Sequence, residues 1–255
     1  MSLVVNKDNI FFILPESRYA VSDRIDKFMD EDFTLFVRAK IFPDLLPMEE
    51  EQFILSRNGM HSGVSMFKDS FGNSNASFTY WFQRKTETGE TIHVPKQIYY
   101  NMQEKEQSES FHDYCMICDH FEERKIDCFV DGELVGTIKF EDDEKFVYEK
   151  AFYWFGCGDM IGPEEHRAIG NVELDMSFVL NKKLSIEEVI DIKENYKEKY
   201  SHKVFGDLRK LNYDFPLRKN FAFFCDFNYY NRYKVWDISF SGNYPQFYLE
   251  HNIYF

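Results

Sequence analysis

Glu173 and Asp175 stand two apart in VELDMSFVL. On an extended strand alternate side chains share a face, so this spacing projects two carboxylates together, as a glycosidase acid and its partner are held. The segment from Asp159 to Arg167 (DMIGPEEHR) is a second concentration of chemistry, with Glu165, His166 and Arg167 in a row shortly after Trp154. An arginine beside carboxylates and an aromatic ring suits sugar hydroxyls or an acidic glycan, because sugar sites combine one aromatic face with a few planar polar groups. The plain alternatives are a solvated acidic loop and a Trp154 packed in the core. Trp81, Trp154 and Tyr80 are the candidate platforms for a sugar ring.

Cys115-Met116-Ile117-Cys118 has redox or zinc spacing. A redox pair opens a helix, however, and zinc needs two more ligands nearby. On a strand, positions three apart face opposite sides, which predicts one core thiol and one surface thiol. The 7 histidines are scattered, without an HExxH pairing, and no G-x-S-x-G, phosphate loop or dinucleotide fingerprint is present.

The elements that must hold these residues are mostly strands. Asn9 to Pro15 and Phe33 to Phe42 (FTLFVRAKIF) are apolar runs of strand length, and Gln52 to Ser56, Gly63 to Phe67 and Ala76 to Gln83 follow between turn residues. HDYCMICD, KIDCFVDG and ELVGTIKF form an antiparallel meander whose Asp131-Gly132 supplies a tight turn. Phe152 to Gly156 and Val172 to Leu180 give two more strands. One helix is predicted from Ser185 to about Tyr200, where Ser185 and Glu188 make a capping box and Ile186, Val189, Ile190 and Tyr196 recur at helical spacing. Many strands and one late helix make the chain mainly β.

Composition agrees: 28 Phe and 16 Tyr suit strands packing large rings against a facing sheet. A formal net charge of -14 repels phosphate backbones and anionic lipid, which argues against nucleic acid as a partner. No stretch reaches the roughly 18 to 20 apolar residues of a membrane helix, so membrane insertion is not expected. Five cysteines are an odd count at irregular spacing, and Met1 to Asn9 lacks the pattern of a secretory signal. Both features predict reduced thiols and a cytoplasmic location.

Three stretches, read in order, resemble the laminin-G-like and pentraxin-like branch of the concanavalin A-like lectin/glucanase superfamily. FTLFVRAKIF followed by ILSRNG is similar to the family's early core strand and its loop. KIDCFVDGELVGTIKF is similar to its central hairpin. FYWFGCGD, a charged loop and LDMSFVLNKKLSIEEV are similar to its closing strand, Asn turn and short helix. The resemblance implies an all-β, antiparallel jelly-roll β-sandwich over residues 1–200, with one helix on its C-terminal side. The tail, 201–255, is mixed: NFAFFCDFNYYNRYKVWDISFSGN within it is similar to the stretch that opens such a sandwich. The tail therefore either begins a further domain of a longer protein or folds back on the first sandwich.

The same resemblance implies a calcium site matched by Asn58, Asp159, Glu164 and Glu165, although Gly162 and Pro163 interrupt the family's run of ligands. It also implies a ligand rim of Arg57, Asn58, Trp154, Asp159, Glu164, Glu165, His166 and Arg167. The glucanase branch carries a third acid where this chain has Ser177, which weakens the catalytic reading of Glu173 and Asp175. The leading expectation is a lectin-like, carbohydrate-binding module for a glycan or polysaccharide, in the cytoplasm, beside bacterial surface-polysaccharide assembly enzymes. A glycoside-processing enzyme using Glu173 and Asp175, and a non-catalytic protein-interaction module, are the alternatives.

Overall fold

The computed structural model describes residues 5–6, 9–10, 12–14, 18–21, 31–40, 52–57, 62–102, 110–146, 153–155, 157–159, 166–168, 172–230, 235–239 and 246–249. Side chains are described for 31–40, 54–57, 62–102, 110–146, 155, 172–228 and 236–239. The chain opens with short strands β1 (Val5–Asn6), β2 (Asn9–Ile10), β3 (Phe12–Leu14) and β4 (Arg18–Val21). Longer ones follow: β5 (Phe33–Lys40), β6 (Gln52–Arg57), β7 (Ser62–Lys68), β8 (Ser74–Lys85) and β9 (Thr91–Asn101). A meander of β10 (His112–Asp119), β11 (Lys125–Val130) and β12 (Glu133–Lys139) leads to β13 (Lys145–Phe146) and β14 (Tyr153–Phe155). β15 (Cys157–Asp159), β16 (His166–Ala168) and β17 (Val172–Leu180) precede helix α1 (Ile186–Asn195), which runs into a π-helical turn at Tyr196–Tyr200. The remaining strands are β18 (Ser201–Phe205), β19 (Leu208–Leu211), β20 (Phe221–Tyr230), β21 (Val235–Asp237) and β22 (Gln246–Leu249).

Two 8-stranded sheets contain most of these strands. The first is ordered β12-β11-β10-β5-β17-β20-β21, with β3 also on β17; the second is ordered β13-β8-β7-β6-β14-β4-β22, with β9 along β8. The pairings within them are antiparallel, and neighbours such as β5 and β17 lie far apart in sequence. This is a jelly-roll β-sandwich. The tail contributes to it directly, because β20 pairs with β17 in the first sheet and β22 pairs with β4 in the second.

Alternation explains the layers. In β5, Phe33, Leu35, Val37 and Ala39 enter the core between the sheets, while Phe36 points to the opposite side. In β8, Ala76, Phe78, Tyr80 and Phe82 enter the same core, so Ser77, Thr79, Trp81 and Gln83 fall on the outer face. Tyr80 is therefore no platform: it stacks 5.7 Å from Phe33 and lies 4.9 Å from Phe146, with 1% of its surface exposed. Each such aromatic pair adds about 0.5–1.5 kcal/mol beyond its area burial.

A second apolar cluster lies on the outer face of the first sheet. There Val189, Ile192 and Tyr196 cover Phe36, Cys115, Phe178 and Phe224. The capping box predicted at Ser185 and Glu188 is formed, with Ser185 accepting from the Glu188 amide and Glu188 accepting from the Ser185 amide. This cover corrects one expectation: Cys115 is buried beneath the helix, while Cys118, Cys128 and Cys225 lie in the core between the sheets. The helix forms because its sequence is capped and amphipathic; it stays because a sheet offers it an apolar face.

Two glycines serve close approaches. Gly63 has φ +150 and sits against β6, where a Cβ would meet the Leu55 carbonyl oxygen at 2.1 Å. Gly136 on β12 admits Ile98 of β9, and Lys96 of β9 donates to the Lys139 carbonyl at 2.8 Å. The two sheets thus meet along β9 and β12.

Candidate functional site

The outer face of the second sheet carries a strip of aromatic, amide and hydroxyl groups along the β8–β9 hairpin. Register sets Trp81 opposite Pro95, Thr79 opposite Gln97, Ser77 opposite Tyr99 and Gln83 opposite His93. Ile98 and Tyr100 pack on the core, so Gln97 and Tyr99 share the outer face with Thr79 and Trp81. The Gln97 amide donates to Thr79 Oγ1 at 3.1 Å and accepts from the Tyr99 hydroxyl at 2.7 Å. Tyr99 is 54% exposed and meets Phe67 edge-on at 5.4 Å.

Behind this strip the face narrows to small hydroxyl residues. Ser56 and Gly63 lie level with Thr79, and Ser65 lies level with Ser77. Ser56, Ser65, Ser77 and Thr79 are each buried. At the far end, Gln83 borders a cleft of about 390 Å³ that also takes in Arg84, Lys85, Asp142 and Asp143. Trp81 and Ser77 are four residues apart on one strand, so the Trp81 and Tyr99 platforms are spaced by roughly 13 Å along the strip.

A second polar cluster lies on the other side of the sandwich, where α1 meets the first sheet. Its residues follow one another in a ring. Lys193 Nζ reaches Asp113 at 2.9 Å, Asp113 accepts from Arg38 at 2.7 Å, and Arg38 Nε faces Asp175 at 3.2 Å. Asn228 Nδ2 then links Asp175 at 3.2 Å to Asp226 at 2.7 Å. Asp226 accepts from the Tyr196 hydroxyl and lies 3.6 Å from Lys197 Nζ. The ring borders a cleft of about 260 Å³ whose lining includes Arg38, Phe111, Asp175, Lys193, Tyr196 and Lys197. Burial and the neighbouring Asp226 charge push the Asp175 carboxyl above the usual aspartate range, against the pull of Arg38 and the Asn228 amide.

The pair Glu173 and Asp175 comes out differently from the simple strand reading. A β-bulge between Leu174 and Met176 makes Asp175 an extra residue opposite β5. Leu174 stays in the core and Met176 turns outward, so the regular alternation is broken between them. Glu173 is buried and 3.7 Å from Lys40, away from the ring's hydrogen bonds. Asp175 alone of the two borders a cleft.

Of the residues expected at the rim, Asn58, Glu164 and Glu165 lie outside the described residues. Trp154, Asp159, His166 and Arg167 are described by their backbones only: Trp154 pairs with Ser56, Asp159 with His166, and Gly158 with Arg167. Arg57 pairs with Tyr153 and Ser62 and is 3% exposed. Calcium would draw on Asn58, Asp159, Glu164 and Glu165, of which only the Asp159 backbone is described. Among the described residues no group of three or more His, Cys, Asp or Glu side chains is placed to hold a metal ion, and no helix is long and apolar enough to cross a membrane.

The β8–β9 strip depends on Thr91–Asn101 pairing as a strand with β8, a pairing between residues that the local motifs do not specify. The signal for the strand itself is present: Ile92, Val94, Ile98 and Tyr100 alternate with polar residues, and Pro95 marks an edge strand.

The fold is an antiparallel jelly-roll β-sandwich, defined by its two sheets. No family model matches the sequence, and no curated protein matches it. Among solved structures, the chain is similar to the native heptameric SAP-like pentraxin from Limulus polyphemus, at 11% identity and a TM-score of 0.46, over 74% of this chain and 83% of the pentraxin. It is also similar to the binding domain of botulinum neurotoxin serotype D, at 15% identity and a TM-score of 0.45, over 76% of this chain and 46% of that one. The same toxin's ligand-binding domain in complex with N-acetylneuraminic acid gives 17% identity and a TM-score of 0.48, over 78% of this chain and 46% of that one. The chain spans less than half the length of these toxin domains. At this distance the likenesses carry nothing about function, which has to be argued from the surfaces of the sandwich.

Proposed function

We propose that the chain is a carbohydrate-binding module whose ligand lies along the β8–β9 strip. The observation that carries the reading is the presentation of Trp81 and Tyr99 on one outer face with the Gln97 amide between them. Aromatic faces receive the apolar side of a sugar ring, and planar amides bridge its hydroxyls. Platforms roughly 13 Å apart suit an oligosaccharide of several residues better than a single sugar. The laminin-G-like and pentraxin-like branch, a cytoplasmic setting and a place beside bacterial surface-polysaccharide assembly belong to the same proposal. Sequence motifs and cysteine usage support them. The loop from Asp159 to Arg167, with Arg57 to Ser62, remains the second proposed rim for glycan or calcium.

A glycan array probed with the full chain, with calcium and with chelator, tests this. Trp81→Ala combined with Tyr99→Ala should weaken binding to any array-positive oligosaccharide at least about tenfold, a loss of about 1.4 kcal/mol. Retained binding in that variant, with loss in Asp159→Ala combined with Arg167→Ala, would move the site to the loop. Turnover of a bound glycan would favour a glycoside-processing enzyme, and an array without hits would favour a protein-contact module.

A further inference from the structure

The cleft between α1 and the first sheet belongs to neither the β8–β9 strip nor the loop rim. Its ring holds three cations, Lys193, Arg38 and Lys197, and three carboxylates, Asp113, Asp175 and Asp226, of which the last two are neighbours joined through Asn228. Charges of opposite sign at 2.7 to 3.6 Å largely cancel at a distance, and Glu194, which also lines the cleft 3.5 Å from Lys193, adds one more carboxylate, so the cleft holds no excess of positive charge to draw in an anion. It offers close-set donors and acceptors instead. Asn228 bridges two of the carboxylates through Nδ2 and so holds Asp175, the one of them that lines the cleft, in place. Phe111 borders the same cleft and lies under the Arg38 guanidinium at 5.7 Å, supplying an apolar surface beside the polar one.

We propose that this cleft is a second binding site, which takes one neutral polyhydroxylated ring of monosaccharide size. A hydroxyl both donates and accepts, so it can engage a carboxylate and a cation of the same pair at once, whereas a charged ligand would gain one partner and be repelled by its neighbour. A volume of about 260 Å³ is of the size of a single sugar residue. Ion pairing alone would account for the ring as a clamp between helix and sheet, and the test separates a clamp from a site.

The full chain is titrated with glucose, galactose, mannose and N-acetylglucosamine by saturation-transfer NMR, with glucuronate and glucosamine as charged counterparts. At least one neutral sugar should bind with a Kd in the millimolar range or tighter. Asp175→Asn, which preserves shape, and Lys197→Ala, at the outer end of the ring, should each weaken that binding at least about fivefold while the melting temperature stays within a few degrees. Trp81→Ala should leave unchanged the part of the binding that depends on Asp175 and Lys197, so a failure of the strip proposal and a failure of this one are distinguishable. The proposal is overturned by no binding of any neutral sugar up to about 50 mM, by preference for glucuronate or glucosamine, or by unchanged binding in both ring variants.

Discussion

Asp175 shows how one residue's surroundings set its chemistry. Burial and the Asp226 charge raise its folded-state pKa above the ordinary 3.8. For a group whose folded pKa is raised, the favourable contribution is complete below the unfolded value and is lost as pH rises through the folded one. Asp175→Asn removes that loss, so the variant's melting temperature relative to wild type should climb as pH rises above the ordinary 3.8. A gap that narrows over this range would show that Arg38 and Asn228 outweigh burial. Neighbouring residues on β8 make a second contrast at this scale. Phe78→Ala should cost about 3–5 kcal/mol in urea unfolding, because the ring is fully buried between the sheets.

At the scale of elements, two substitutions test how strands and helix are set. Gly63→Ala places a methyl 2.1 Å from the Leu55 carbonyl at a backbone angle that side chains rarely adopt. Its expected cost is about 3 kcal/mol or more, since backbone on both sides must shift. Ser185→Ala removes half of the capping box and should cost about 0.5–2 kcal/mol, read as a lower urea midpoint with an unchanged slope. The helix and the central strands were legible in the sequence because caps and apolar alternation are local signals. The bulge at Asp175 was not, since it depends on which strand lies opposite. Register placed Trp81 outward and Tyr80 inward by the same rule of two, but choosing the face required knowing that Ala76 and Phe78 point into the core. Pairing partners are what bring Trp81, Gln97 and Tyr99 onto one face of the β8–β9 strip.

At the scale of the molecule, β20 is the strand that binds the tail into the sandwich. It pairs with β17 from Met176 to Leu180 and brings Phe223, Cys225 and Phe227 into the core. A fragment ending at Tyr200 would expose the edge of β17 and would lack Leu211, Phe215, Phe221 and Phe224 from the cluster under α1. It should be recovered unfolded or aggregated, judged by circular dichroism and gel filtration, and a cooperative melt from it would show residues 1–200 to be self-sufficient. The motif around Trp236 looked like the opening of another sandwich. In the structure its Asp237 accepts from the Ser239 amide and hydroxyl and from the Phe224 amide, so the turn is fastened to this one.

Four buried thiols among the described residues give the protein a built-in clock. Burial pushes the Cys115, Cys118, Cys128 and Cys225 thiols well above the usual cysteine range, so none reacts as thiolate until its own layer opens. Cys115 waits only for the helix to lift, whereas the other three wait for the sheets to part. Of these four, an alkylating reagent added to the native protein should mark Cys115 first and the remaining three together. The interval between those events, followed by mass spectrometry, measures how far undocking of the helix precedes collapse of the sandwich.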